Sequence, residues 1–140
     1  MSNSGYAYFD VEADAGIRAW AGDRARAFAE AARGVFALIV DPASVEERER
    51  REVRAQGASA EPLLVNWINE CLYVHEIEGF AVKAVDVTVC RETLVHGFLL
   101  GEAFDPERHR AGTIVKAATF HRVSVRELEG RVEITLVVDV

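Results

Sequence analysis

Apolar residues recur along this chain with two different periods, and the changes of period mark the elements. "YAYFDV" near the start alternates and is rich in aromatics, which predicts a first strand. "EADAG" interrupts it with small and acidic residues, and "IRAWA" resumes a strand-like pattern. Asp23 is placed to cap a helix. Phe28, Ala32, Val35, Phe36 and Ile39 then follow at helical spacing, and Asp41-Pro42 ends that run. In "VEERERREVRAQG" the first half reads as a turn or short helix and the second half as an exposed strand. Ser59 opens a second helix that tolerates Pro62 in its first turn. Leu64, Trp67, Ile68, Cys71, Leu72 and His75 make its apolar face, and Gly79 ends it.

The remainder is β-rich. "FAVKAVDVTVC" alternates, placing Val82, Ala84, Asp86, Thr88 and Cys90 on one face. "ETLVHGFLLGEAF" is a further strand, "DPERHRAG" a polar loop, and "TIVKAATFHRVSVREL" one or two strands. Glu129-Gly130 is a turn into the alternating "RVEITLVVDV". Two helices among several strands predict one α+β domain over residues 1–140, a mixed or antiparallel sheet with both helices packed on one face.

Composition narrows the function. The 140 residues are enough for a hydrophobic core without disulfides or metal. A net charge of -7 argues against the chain itself gripping a phosphate backbone. Cys71 and Cys90 form no CxxC pair, and no secretory signal opens the sequence, so reduced thiols and a cytoplasmic location are expected. No apolar run approaches the roughly 20 residues of a membrane span.

The residue types present raise several kinds of chemistry. Cys71 and His75 share a helix face, and Cys90 and His96 could complete a zinc site. The spacing is looser than zinc sites use, and Cys71 falls where a core residue belongs. There is no GxSxG elbow, no GxxxxGK[ST] loop and no GxGxxG. Asp10, Glu12 and Asp14 alternate near the first strand, and Asp139 ends the last one. Read as a strand pattern, they gather on one face, where like charges need a cation or a basic partner. Their ordinary reading is solvated loop acids. Their specific reading is an oxygen-donor site for a hard cation. Arg108, His109, Arg110, Lys116 and His121 form either a basic surface loop or a patch for an acidic partner or RNA phosphate. Lys116, between Val115 and Ala117, is expected to point away from the core.

Four stretches, "ADAGIRAWA", "LLVNWINECLYVHEIEGF", "GEAFDPERHRAGTIVKAATFH" and "VVDV", resemble the archease family in the family's order. The third carries most specificity: a long polar loop runs into GT-x-VKA-x-T-aromatic-His. The resemblance implies a compact α+β fold with the strand-helix-strand-strand (SHS2) arrangement. It also implies a role as activator of an RtcB-type tRNA-splicing RNA ligase, not as an enzyme itself. Such a protein promotes GTP-dependent guanylylation of the ligase and its repeated turnover in tRNA splicing and RNA repair, and meets RNA and GTP only through the ligase.

Carried over residue by residue, the resemblance makes Asp14 and Asp139 metal ligands, joined by an oxygen of Val140. The ion is a divalent cation, calcium first, with magnesium, manganese or zinc as alternatives. Lys116 becomes the candidate for meeting the ligase active site or its nucleotide. Val11-Glu12 stands where the family usually has His-Thr, which makes Glu12 a candidate additional carboxylate. The competing readings are a metal-binding chaperone or interaction module, and a stand-alone metal-dependent hydrolase.

Overall fold

The computed structural model describes residues 3–140. In chain order the elements are β1 (Gly5–Val11), β2 (Asp14–Ala21), α1 (Arg24–Ile39), a short 3-10 turn (Pro42–Ser44), β3 (Glu49–Gln56), α2 (Ala60–Glu78), β4 (Phe80–Cys90), β5 (Leu94–Ala103), β6 (Ala117–Leu128) and β7 (Arg131–Asp139). The segment between the 3-10 turn and β3 is irregular, not a short helix.

The strands make two antiparallel sheets where a single one was expected. One has the order β1-β2-β7-β6 and the other β3-β5-β4. The order β3-α2-β4-β5 supplies the strand-helix-strand-strand unit. The helices hold the two sheets together: α1 packs against β2 and β4, and α2 against β3 and β6. Alternation explains the seam. Ile17, Ala19 and Ala21 of β2 and Ile134, Leu136 and Val138 of β7 are buried, so both strands turn the same face to the helices. Trp67 of α2 is fully buried and its indole N–H donates to the Phe28 carbonyl of α1 at 3.1 Å, leaving no orphan donor on that ring.

Local signals behave as the residues dictate. The Asp23 carboxylate accepts the Arg26 N–H at 2.9 Å, capping α1. Ser59 occupies the cap position of α2 without a side-chain capping bond, and Gly79 closes that helix at φ 59, where a Cβ would be strained. The alternation in β4 is broken by register shifts at Val82/Ala84 and Val87/Val89. These bulges move Cys90 toward the core beside Val85 and Val87, off the face the sequence pattern assigns it.

Candidate carboxylate site at the junction of β2 and β7

The site begins with a tight hairpin. Val11 pairs with Asp14, so Glu12 and Ala13 alone make the turn, with Ala13 at φ 66. β2 therefore starts at Asp14, earlier than the sequence pattern suggests. This geometry separates the acidic run. Asp10 pairs with Ala15, one step along the ladder from Asp14, so Asp10 and Asp14 face opposite sides of the sheet. Glu12 is exposed in the turn itself. The three acids do not share a face, because a turn and not a continuing strand lies between them.

Asp14 meets a different partner. It stands directly opposite Asp139 on the neighbouring strand β7, and Asp139 in turn stands opposite Ala117 on β6. Cross-strand partners point to the same face with Cβ atoms about 4.5–5.5 Å apart. Both belong to the outer face, because the core-facing residues of β7 are Val132, Ile134, Leu136 and Val138. Among the described residues neither carboxylate is ion-paired. Two like charges directly opposed in a sheet are unfavourable unless something neutralises them.

Lys116 sits at the edge of this pair. Its backbone N–H donates to the Asp139 carbonyl at 2.9 Å. The segment before it is tied to the end of α1 by Gly112 N–H to Ile39 O and Thr113 N–H to Leu38 O, both 2.7 Å. The segment after it is held by Asn69 of α2, whose side-chain oxygen accepts the Ala118 N–H at 2.7 Å and whose nitrogen donates to the Ala118 carbonyl at 3.4 Å. Lys116 is exposed, and its ammonium has no carboxylate or hydrogen-bond partner among the described residues. The hydrophobic pattern does not single out Asn69. A polar residue at the edge of an apolar helix face, beside a β-rich segment with unpaired backbone, is the signal that could have found it.

The chemistry of the donors fits one class of ion. Asp14 and Asp139 offer carboxylate oxygens, and Val140 adds main-chain oxygen next in sequence. An all-oxygen set suits a hard cation and not the nitrogen and sulfur preference of zinc. Among the described residues no three His, Cys, Asp or Glu side chains converge as a metal cluster, so Glu12 does not complete a side-chain triad here. The zinc candidates are likewise not assembled. Cys71 is fully buried, and burial pushes its thiol well up from the usual range; burial also raises Cys90, to about 11. His75 Nδ1 is bound to the Phe80 carbonyl at 2.7 Å, and His96 Nε2 to Glu52 at 2.9 Å.

The expected basic patch dissolves into internal pairs. Arg108 donates to Glu102 at 2.7 Å and to Asp105 at 3.2 Å, and Arg110 pairs with Asp41 at 2.8 Å. His109 is buried, not exposed. Its Nδ1 accepts the Asp105 N–H at 2.8 Å, which leaves Nε2 to donate to Glu102 at 3.0 Å. Arg48 reaches the same carboxylate at 3.3 Å, and the Glu46 N–H donates to it at 2.8 Å. The Arg108 guanidinium, with His109 and the Glu46 N–H, holds the Glu102 carboxyl down at about 2. Of the five basic residues, Lys116 and His121 alone point to solvent without a carboxylate among the described residues.

The fold and site define a small α+β domain whose last strand brings a paired carboxylate to the end of the two inner strands of a sheet. Comparison with known proteins places it. The model of the Archease protein family (MTH1598/TM1083) matches residues 6–140. The chain is 35% identical over 136 residues to Protein archease of Sulfurisphaera tokodaii, covering 96% of this chain and 98% of that one. It is 37% identical over 130 residues to Protein archease of Methanopyrus kandleri, covering 91% and 93%. The solution structure of Methanobacterium thermoautotrophicum protein 1598 superposes with TM-score 0.79 at 29% identity, covering 97% of this chain and 99% of that one. A Thermotoga maritima crystal structure, described as an archease and possible chaperone, shares the fold with TM-score 0.61 at 17% identity, covering 94% of each. The chain belongs to the archease family.

Proposed function

We propose that this chain is the protein cofactor of an RtcB-type tRNA-splicing RNA ligase, promoting GTP-dependent guanylylation of the ligase and its repeated turnover without being a ligase. The observation that carries this reading is the placement of Asp14 opposite Asp139, with Lys116 bonded to the Asp139 backbone from the other side. Asp14, Asp139 and a main-chain oxygen of Val140 would hold a divalent cation, calcium first. When bound, that ion supplies the positive charge that two opposed carboxylates lack. Directly opposed like charges in a sheet cost about 0.2–1 kcal/mol when nothing neutralises them. The exposed Lys116 ammonium, without an internal partner among the described residues, is available to a triphosphate or to a ligase carboxylate.

The test is formation of ligase-GMP from GTP, with and without this protein. Asp14→Ala and Asp139→Ala are expected to abolish stimulation while the domain stays folded. Normal stimulation by both variants would remove the site.

One observation favours a second reading, a chaperone or protein-interaction module. A groove of about 500 Å³ runs beside Lys116, bordered by Leu72, Phe104 and Ile114, and Ile114 is 79% exposed. Exposed apolar surface of this kind marks contact with other proteins. A pulldown separates the two: one dominant RNA ligase supports the first reading, a spread of clients the second. No helix of the described residues is long and apolar enough to cross a membrane.

A further inference from the structure

The outer face of the β1-β2-β7-β6 sheet carries a charge that the net value of the chain conceals. Cross-strand register places Arg18 opposite Thr135, Trp20 opposite Glu133, and Glu133 opposite Arg126, all on this face. Arg131 joins them from the start of β7, and Arg122 from the β6 bulge. There β6 and β7 lose register between Thr119 and Ser124, and Arg122 sits at φ 56. Glu133 accepts from Arg131 at 2.8 Å and lies 4.0 Å from Arg126. Arg18 and Arg122 have no carboxylate partner among the described residues. Two of the four guanidinium groups thus meet a single carboxylate and two meet none among the described residues, with Asp14 and Asp139 at one end of the face.

Two aromatic rings lie among these arginines, each over a glycine of the adjacent strand. Phe9 covers Gly16, where a Cβ would come within 2.5 Å of the ring, and Trp20 covers Gly5, where it would come within 3.1 Å. Glycine at these positions lets the rings settle on the sheet instead of standing off it. Arg18 and Arg122 approach the Phe9 ring with guanidinium carbons 5.1 and 5.0 Å from its centroid, and Arg131 approaches Trp20 at 5.7 Å. Arg18, Trp20, Arg126 and Arg131 border an open groove of about 550 Å³.

We propose that this sheet face is a binding surface for single-stranded RNA, with the four arginines meeting phosphates and the Phe9 and Trp20 stacks receiving bases. Single strands are bound by cationic grooves that carry aromatic and guanidinium stacking surfaces. An acidic peptide would satisfy the arginines but has no use for the rings. The choice of RNA over DNA rests on the proposed function. The face places a strand within a few residues of Asp14 and Asp139, so the chain would touch RNA directly and not only through its ligase.

The test uses the protein alone with a fluorescent single-stranded oligoribonucleotide, measuring anisotropy from low to physiological salt. Binding is expected to weaken as salt rises. The Arg18→Gln/Arg131→Gln variant is expected to bind about tenfold more weakly, with the salt slope smaller by about 1.4, roughly 0.7 for each phosphate no longer neutralised on a single strand. Phe9→Leu is expected to weaken binding about fivefold at unchanged slope. Arg54→Gln, on the other sheet, is expected to bind like wild type. Absence of salt-dependent binding, or equal weakening in the Arg54 variant, overturns the proposal. So does a glutamate-rich peptide that competes as well as RNA, because the face is then a site for an acidic protein. Guanylylation of the ligase by GTP without RNA reads the proposed function separately, so either idea can fail alone.

Discussion

Two acidic sites in this molecule are built in opposite ways. Glu102 is buried and surrounded by donors: Arg108, His109, Arg48 and the Glu46 N–H. Asp14 and Asp139 are half-buried and face each other across a ladder, with no side-chain donor to either carboxylate among the described residues. The first arrangement satisfies a charge from within the chain and fixes the loop before Lys116. The second leaves its charge to solvent or to a ligand from outside the chain. A carboxylate whose partners are all internal is structural; a pair set against itself is where a ligand is expected.

The largest effect should come from the satisfied site. Glu102→Ala strands His109 and removes the shared anchor of Arg108 and Arg48, so urea denaturation is expected to show the greatest stability loss among these variants. The pH dependence has a definite sign. Glu102 titrates at about 2 in the folded chain against an ordinary 4.5, so its contribution is present above about 4.5 and is lost as pH falls toward 2. Glu102→Gln should flatten the stability curve across that window. An unchanged curve would mean that the network does not stabilise the fold.

The unsatisfied site should respond to what is added. A divalent cation at 100 times its Kd would stabilise the folded chain by about 2.7 kcal/mol. Calcium is therefore expected to raise the Tm of the wild type by several degrees and leave Asp139→Asn unmoved. Equal shifts in both proteins would place the ion elsewhere.

How far this contrast was legible depended on distance along the chain. The α1 cap at Asp23, the helical period of both helices and the stop at Gly79 are local, and the sequence shows them. The division into two sheets is not local, because whether β7 pairs with β2 or with β5 depends on residues far apart in sequence. The same holds for "DPERHR". Its arginines look like a free basic patch until Glu102 and Asp41 arrive from other elements. Asp10 and Asp14 look like one face until the Glu12–Ala13 turn intervenes. Periodicity alone gave no reason to join Asp14 to Asp139. The family resemblance did, and the ladder sets them opposite each other.

Removing one charge of the opposed pair should have the reverse sign of removing Glu102. In metal-free buffer Asp139→Asn is expected to stabilise the domain by about 0.2–1 kcal/mol, the range for a cross-strand pair. The same variant is expected to abolish ligase stimulation. Stability gained with function lost is the signature of a strained functional pair. Destabilisation by Asp139→Asn would show that the carboxylate is held by partners, as Glu102 is, and would erase the contrast.

The smallest effect tests the boundary of the site. Glu12 is exposed in the two-residue turn and lies off the ladder row shared by Asp14 and Asp139. Surface changes of this kind stay within about 0.5 kcal/mol. Glu12→Gln is therefore expected to change calcium affinity by no more than about twofold in a direct titration, since tenfold corresponds to about 1.4 kcal/mol. A tenfold loss would bring the turn carboxylate into the coordination set. The departure from the family's His-Thr would then be a third carboxylate ligand from the hairpin tip, and the site would extend around the end of β2 instead of stopping at the ladder.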